Sequence, residues 1–199
     1  EGLQDDEVMS IDSGKKAELG EKDWAPVRQR LFRVDRHATP RVIVSVLMLT
    51  EVDDGDILVM QAGGWKVPLG ITLVVDRLSA VMLVVSSLML LSVLIYAIGQ
   101  GAEESRYASF NPVYLVLAAG VSASFVTGDL FNLFVAFEMM LVASYVLLTL
   151  GGRPGQVRSG MSYVVISLVA STFFITALAF IYAATGTVNM AELSQRIPE

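Results

Sequence analysis

The feature that most constrains this chain is a hydrophobic run from Gly128 to Leu148 with one carboxylate, Glu138, in its middle. The run is long enough to cross a bilayer as an α-helix, because a hydrocarbon core about 30 Å thick needs roughly 20 residues. Counted from Asp129, Glu138 lies nine residues into that helix, at a depth of roughly 13 Å. An ionised carboxylate there costs about 2.5–3.5 kcal/mol on insertion scales, so it normally faces a helix bundle or a wet cavity. Glu138 is therefore a candidate proton or ion site, with a neutral, hydrogen-bonded structural carboxylic acid as the alternative.

The composition places this helix in a polytopic membrane protein. Of 34 charged residues (14 basic plus 20 acidic), 16 fall within the first 40 positions, so the remainder is far more apolar than the overall 54% hydrophobic content indicates. A net charge of −6 without a basic aromatic patch argues against nucleic-acid binding. The chain has no cysteine and one histidine, which excludes disulfides and thiolate metal sites. No metal or cofactor is predicted.

The first 77 residues divide into two segments. Residues 1–41 are polar, acidic at first and then basic, and hold too few apolar side chains to bury a core, so we expect a disordered or non-native tail. Residues 42–77 contain the apolar stretch Val42–Thr50, which is too short to cross a bilayer as a helix, and a turn-rich external Gly-Gly-Trp region at Gly63–Gly70. The run from Ile71 to Val75 is apolar and β-branched, and its periodicity leaves the conformation open.

Residues 78–199 are predicted to hold four transmembrane helices and the start of a surface helix, which makes the fold class all-α, a polytopic transmembrane helix bundle. The four helices are residues 78–98, 112–127, 129–150 and 161–185. A basic, glycine-rich loop over residues 151–160 joins the last two. Because cytoplasmic loops carry an excess of Lys and Arg, this loop and residues 99–111 are expected in the cytoplasm, with the Gly128-Asp129 turn outside.

Two polar residues near the start of the central helix are candidate supporting residues for Glu138. Asp129 can accept hydrogen bonds from the free N–H groups of the helix that it begins, so a structural role is at least as well founded as a functional one. Asn132 lies one turn further in and can hydrogen-bond across helices. Both interpretations stay open at this point.

A polar stripe marks the fourth predicted helix. Tyr163, Ser167 and Ser171 are spaced at i, i+4 and i+8, which places them on one face. The stripe either lines a hydrated path beside Glu138 or forms an ordinary interhelical contact, and the spacing favours neither.

Several motifs resemble the D subunit of Mrp-type multisubunit cation/proton antiporters. In chain order they are Gly63-Gly-Trp65, Asp76-Arg-Leu-Ser79, Gly128-Asp-Leu-Phe-Asn-Leu-Phe134, Phe137-Glu138, Ser144-Tyr145 and Thr185-Gly-Thr-Val-Asn-Met190. The resemblance covers about residues 61–197 and is most specific around Glu138. This family is in turn similar to the antiporter-like membrane subunits of respiratory complex I.

The resemblance implies a fragment of an inverted-repeat fold with two five-helix repeats and broken helices, in which a buried glutamate pairs with a lysine on a later helix. Glu138 matches that glutamate, and Tyr145 lies in a matched motif as a further candidate supporting residue. The family has two full hydrophobic helices before the Gly-Gly-Trp segment and a lysine-bearing helix beyond the point where this chain stops. We therefore expect the chain to be incomplete at both ends.

The leading functional interpretation, by resemblance, is a subunit of a multisubunit monovalent cation/proton antiporter in the bacterial cell membrane, with Na⁺ as the expected cation and other antiporter subunits as partners. A secondary transporter is favoured over an enzyme, because the sequence shows no nucleophile with a base and no phosphate loop. The nearest alternative is a proton-pumping membrane subunit of a complex I-like or hydrogenase-linked oxidoreductase. A structural membrane scaffold, in which Glu138 only holds helices together, is the alternative of another class.

Overall fold

The computed structural model describes residues 39–52, 56–65, 70–99 and 109–197. Most of the expected polar tail therefore lies outside the described residues. Helix α1 is described over residues 39–52 and includes the short apolar stretch. A β-hairpin follows, with strand β1 at Leu58–Gln61, a 3-10 turn at Ala62–Gly64 and strand β2 at Thr72–Val75.

The rest of the described chain is helical. Its elements are α2 (Arg77–Gly99), α3 (Phe110–Val126), α4 (Leu130–Thr149), α5 (Pro154–Thr185) and α6 (Met190–Arg196). By length and composition, α2, α4 and α5 are able to cross a membrane. The apolar helix α3 has 17 residues, or about 25 Å at 1.5 Å per residue, which covers most of a hydrocarbon core.

Large apolar side chains on α5 point outward instead of forming a core. Ile166 is 70% exposed, Phe173 is 73% exposed and Phe180 is 71% exposed. An apolar surface of this size is stable only where lipid or further helices cover it. The exposed surface of α5 is therefore that of a membrane protein.

Among the described residues, the most extensive packing between two elements is that of α3 against α4. A Cβ atom added at Gly120 on α3 would lie 2.7 Å from Cγ of Met140 and 3.1 Å from the carbonyl oxygen of Ala136, both on α4. Ala118 and Ala143 are also buried. Small residues let two membrane helices approach closely enough for backbone contact, so these positions set the distance between α3 and α4.

The run from Ile71, whose conformation the sequence left open, contains strand β2. The strands pair antiparallel in the register that joins Leu58 to Val75. Gly63 in the connecting turn has φ of 68°, a left-handed conformation that glycine adopts without steric cost. The all-helical bundle therefore carries a small β-hairpin at one end, directly before α2.

Side-chain caps begin three of the helices. Asp76 stands before α2, and its Oδ1 accepts a hydrogen bond from the backbone N–H of Ser79 at 2.7 Å. The bonds from the backbone and side chain of Ser79 lower the pKa of the Asp76 carboxyl. Asp129 caps α4 and Asn189 caps α6 in the same way. Each cap satisfies N–H groups that have no partner within the helix.

Helix α5 begins at Pro154, well before the predicted start at Met161, so the expected loop over residues 151–160 is mostly helical. Proline at the first helical position has its φ already set for a helix. The side chain of Gln156 accepts a hydrogen bond from the backbone N–H of the residue before Pro154 at 3.3 Å. Gly160 does not break the helix. A Cβ there would lie 2.4 Å from Cγ2 of Thr149, so glycine is needed for the close approach of α4.

We call the end of the bundle with the Gly128-Asp129 turn the outer end and the end with Arg153 and Arg158 the inner end. Single cysteines at Met60 and Gly155 should be labelled from opposite sides of the membrane, because α2, α3 and α4 lie between them. Met60 is 59% exposed, and a Cβ at Gly155 meets nothing within 4 Å. Labelling with impermeant maleimide on intact and everted vesicles checks this. Labelling of both positions from one side would contradict an odd number of crossings.

Candidate functional site

Glu138 lies near the middle of α4, half-buried, on the side that faces α5. The Oγ of Ser171 on α5 donates a hydrogen bond to its Oε1. The two helices run antiparallel, so the middle of α4 meets the middle of α5. A carboxylate inside a membrane bundle is stabilised by polar partners of this kind. The contact fixes one carboxylate oxygen against the neighbouring helix.

A groove between α4 and α5 extends from this contact. Its volume is about 180 Å³. It brings together five of the predicted site residues, which are Glu138, Tyr145, Tyr163, Ser167 and Ser171. The remaining lining is aliphatic, from Leu141, Val142, Val164 and Leu168. The predicted stripe on α5 and the predicted carboxylate on α4 therefore share one groove.

Aromatic rings occupy the α4–α5 contact on the other side of Glu138. The rings of Phe134 and Phe174 are stacked with their centroids 5.7 Å apart. Phe137 meets Phe174 edge to face at 6.2 Å, and Phe131 lies 6.2 Å from Phe134. The two pairs that join α4 to α5 each stabilise the contact by about 0.5–1.5 kcal/mol beyond their buried area.

Asp129 and Asn132, the other two predicted residues, lie at the outer end and do not line the groove. Asp129 is 5% exposed, and its Oδ1 accepts a hydrogen bond from the backbone N–H of Asn132 at 2.9 Å. Asn132 Nδ2 donates to Oγ1 of Thr127 at 2.9 Å. These are the contacts of a helix cap and a turn, made to near neighbours in the chain.

The Gly128-Asp129 turn is held between two distant segments. The backbone N–H of Gly128 donates to the carbonyl of Thr72 at 2.8 Å, and the backbone N–H of Met190 donates to the carbonyl of Gly128 at 2.9 Å. Asn189 Nδ2 donates to Oγ1 of Thr72 at 3.1 Å, with both side chains buried. The β-hairpin, the α3–α4 turn and the α5–α6 connection thus form one unit, which we call the outer clamp.

Removal of the Asp129 cap is expected to weaken this clamp. Asp129→Ala should destabilise the folded chain by about 0.5–2 kcal/mol, because the backbone N–H at Asn132 loses its acceptor. Asp129→Asn should retain most of the stability, because an amide oxygen also accepts that bond. Thermal unfolding of detergent-solubilised protein, followed by circular dichroism, measures both. Equal losses in the two variants would show that the carboxylate charge, and not the cap, is what matters.

The sequence interpretation placed one bundle residue, Arg41, in the polar tail. Its Nη2 donates to the backbone carbonyl of Ala118 and, at 2.7 Å, to Oγ of Ser122, both on α3. An arginine among membrane helices needs such polar partners. The one signal in the sequence for a place in the bundle was the position of Arg41 directly before the apolar run from Val42, and that position does not identify the partner. Thr72 and Asn189 of the outer clamp were likewise not predicted as a pair.

The sequence and fold of this chain match known membrane transport proteins. A family profile described as "NADH:quinone oxidoreductase/Mrp antiporter, TM" matches residues 127–198. The D subunit of a Na(+)/H(+) antiporter from Alkalihalophilus pseudofirmus is 42% identical over 158 residues, which cover 79% of this chain and 32% of that relative. The chain is homologous to the D subunits of Mrp-type antiporters.

Two further comparisons support this Mrp-type relationship. The D subunit of a probable K(+)/H(+) antiporter from Rhizobium meliloti is 44% identical over 139 residues, covering 70% of this chain and 25% of that relative. A chain in the structure of the Mrp complex from Dietzia sp. DQ12-45-1b aligns with a TM-score of 0.77 and 35% identity, over 83% of this chain and 32% of that chain. This chain therefore spans between a quarter and a third of its Mrp-type relatives. The predicted fold class, an all-helical membrane bundle of the antiporter type, is confirmed.

Proposed function

We propose that this chain forms part of the membrane subunit of a multisubunit monovalent cation/proton antiporter in the bacterial cell membrane, and that Glu138 transfers protons in it. The observation that carries the proposal is the carboxylate of Glu138 near the middle of an apolar helix long enough to cross a membrane, hydrogen-bonded to Ser171 and lining the groove between α4 and α5. The names of the relatives favour the same activity.

The geometry suits a proton site for an electrostatic reason. A low dielectric disfavours an ionised carboxylate, whereas a hydrogen bond donated to it or a nearby positive charge favours the ionised form. A small movement of a partner or of water therefore changes proton affinity at such a site. A proton that moves across the full membrane potential exchanges about 2.3 kcal/mol per 100 mV, so a carboxylate at mid-depth can couple proton movement to that potential.

The same comparison supports a choice of partners and cation. The outward apolar side chains of α5, such as Phe173 and Phe180, offer a surface for further helices of the subunit or for neighbouring subunits. One relative is named for Na⁺ and another for K⁺. We propose Na⁺ as the cation and other antiporter subunits as the partners.

The proposal is tested in everted vesicles that contain the complex with this chain. Addition of Na⁺ to respiring vesicles should release the accumulated protons, as reported by a pH-sensitive dye, and vesicles lacking the chain should respond only at background level. Addition of K⁺ at equal concentration distinguishes the two cations. A response to K⁺ alone would support the antiporter function and would show that the cation is K⁺ and not Na⁺.

A redox-driven proton pump is the second candidate, because the matching family joins NADH:quinone oxidoreductase and Mrp antiporter subunits. In that case vesicles with the chain would accumulate more protons on addition of an electron donor than vesicles that lack it, and addition of the cation would release none. If the complex assembles and shows neither response, the remaining function is that of a structural membrane scaffold.

A further inference from the structure

Arg41 is a charged side chain inside the bundle that belongs neither to the groove beside Glu138 nor to the outer clamp. Its Nη2 donates hydrogen bonds to the backbone carbonyl of Ala118 and, at 2.7 Å, to Oγ of Ser122. Ala118 is the middle residue of α3, so the guanidinium lies far from both ends of an apolar helix. A carbonyl and a hydroxyl satisfy its N–H groups but leave its positive charge uncompensated, which is costly away from water.

The side of α3 that binds Arg41 is turned away from α4. Gly120 meets α4, and it is separated from Ala118 and from Ser122 by two residues, or about 200° of helix rotation. Helix α3 therefore stands between Arg41 and the carboxylate of Glu138. The other carboxylates of the described residues lie at the outer end, and they are Glu51, Asp56, Asp76, Asp129 and Glu192. Within the described part of the chain, Arg41 thus has neutral hydrogen-bond partners and no carboxylate beside it.

A small crevice between α2 and α3 opens beside the guanidinium. It is lined by Arg41, Ser87, Tyr114 and aliphatic side chains, and its volume is about 20 Å³. One water needs about 10–15 Å³, so the crevice has room for one small polar group. Oγ of Ser87 donates to the carbonyl of Val84 at 2.9 Å, and the hydroxyl of Tyr114 donates to the carbonyl of Leu90 at 2.7 Å. Arg41 is therefore the charged donor that a group in this crevice would meet.

The outer surface of α1 is apolar. Ile43 is 54% exposed, Val44 is 48% exposed and Leu47 is 58% exposed. Such a surface packs against lipid or against another membrane helix. Lipid phosphates lie about 15 Å from the centre of a hydrocarbon core about 30 Å thick, too far to compensate a charge near the middle of α3. An acidic side chain on a neighbouring helix is able to do so.

We propose that a membrane helix of a neighbouring subunit packs beside α1 and α3 and places the carboxylate of an aspartate or glutamate against Arg41. The partner is defined by its chemistry, an apolar segment of about 20 residues with one acidic side chain near its middle. Arginine and carboxylate form two parallel hydrogen bonds in a fixed plane, so the pair sets the depth and rotation of that helix. The inference rests on the proposed multisubunit complex and is independent of the proton role of Glu138.

Chemical cross-linking in the assembled complex locates the carboxylate. Arg41→Lys keeps the positive charge and supplies an amine, which dicyclohexylcarbodiimide, a reagent that dissolves in membranes, joins to an adjacent carboxylate as an amide with loss of water. Mass spectrometry should find position 41 linked to an acidic residue within an apolar segment of another subunit. The unchanged chain should give no such link, because a guanidinium does not react in this way. Arg158→Lys, at an exposed position of the inner end, should not link to that carboxylate.

Charge reversal tests the same pair by assembly. Arg41→Glu should lower the amount of chain in the complex on blue-native gels several-fold, because two carboxylates would then face each other in a low dielectric. Arg158→Glu, the same change outside the apolar part of the bundle, should assemble normally. Replacement of the cross-linked acidic residue by arginine should restore assembly of the Arg41→Glu chain. If Arg41 served only to hold α1 to α3, this exchange of charges would restore nothing.

Three results would overturn the inference. They are a link from position 41 to a carboxylate of this same chain, an assembled Arg41→Lys complex without any link, and a failure of the charge exchange to restore assembly. The link is measured even if Arg41→Glu fails to fold. Neither measurement uses transport, so a linked complex without cation/proton exchange would support the interface and remove the antiporter function. Full exchange by an assembled Arg41→Lys complex without a link would do the reverse.

Discussion

Replacement of Glu138 by glutamine is expected to abolish cation-dependent proton exchange while the complex still assembles. Glutamine has nearly the same shape and retains a side-chain oxygen that can accept the hydrogen bond from Ser171. Its amide cannot bind or release a proton at the pH of the assay. The substitution therefore removes titration and leaves packing almost unchanged, so exchange should fall to the level of vesicles that lack the chain.

The matched control for this loss is Asp129→Asn, the same chemical change at a carboxylate outside the groove. Asp129 is more buried than Glu138 but only caps α4, so most of the exchange activity should remain. Dye fluorescence in everted vesicles measures exchange, and blue-native gels report assembly. An assembled Glu138→Gln complex with full exchange would exclude the proton-carrier role and leave Glu138 as a structural residue.

Replacement of Gly120 by valine is expected to separate α3 from α4 and to cause the largest loss of stability among these variants. Even one Cβ at this position lies 2.7 Å from Cγ of Met140 and 3.1 Å from the carbonyl of Ala136. The Met140 side chain can move, but the backbone of Ala136 cannot move without shifting α4. Overpacking of this kind costs about 1–3 kcal/mol, and more where backbone must shift. Because α4 carries Glu138, the groove should be displaced as well.

Gly155→Val is the control for the Gly120 variant. Both substitutions add a β-branched side chain to a helix, but Gly155 has nothing within 4 Å of the added Cβ, so only a small propensity effect of a few tenths of a kcal/mol is expected. Thermal unfolding in detergent and the yield of assembled complex compare the two. Equal stability of the Gly120 and Gly155 variants would show that α3 and α4 do not touch at this glycine.

The sequence was sufficient for the features that depend on local chemistry. The length of an apolar run and the bilayer thickness determine which segments can cross, so α2, α4 and the core of α5 were predictable. The position of Glu138 near the middle of α4 follows from counting residues along one helix. The common face of Tyr163, Ser167 and Ser171 follows from the period of that helix. Asp129 as the cap of α4 follows from its place before an apolar run.

The start of α5 predicted from the local sequence, Met161, was wrong, because the helix begins at Pro154. Glycine and basic residues in the segment 151–160 are typical of a loop, yet the segment is mostly helical from Pro154. Gly160 lies inside the helix because Thr149 and Tyr145 of α4 come too close for a side chain. A glycine that permits close packing and a glycine that ends a helix have the same appearance in a sequence, and only the neighbouring helix distinguishes them.

Only the tertiary structure decided which groups meet. Helical period places residues on a face, but the rotation and register of two helices determine what that face contacts, so the choice of Ser171 as the donor to Glu138 was not in the sequence. The hydrogen bond between Asn189 and Thr72 joins residues 117 positions apart, and the contact of Arg41 with Ser122 joins residues 81 positions apart. The asymmetry around Glu138, with serine and tyrosine hydroxyl groups toward the inner end and phenylalanine rings toward the outer end, has the same origin. The sequence determines which side chains carry hydroxyl groups and which carry phenylalanine rings. The packing of α4 against α5 places the two groups on opposite sides of Glu138.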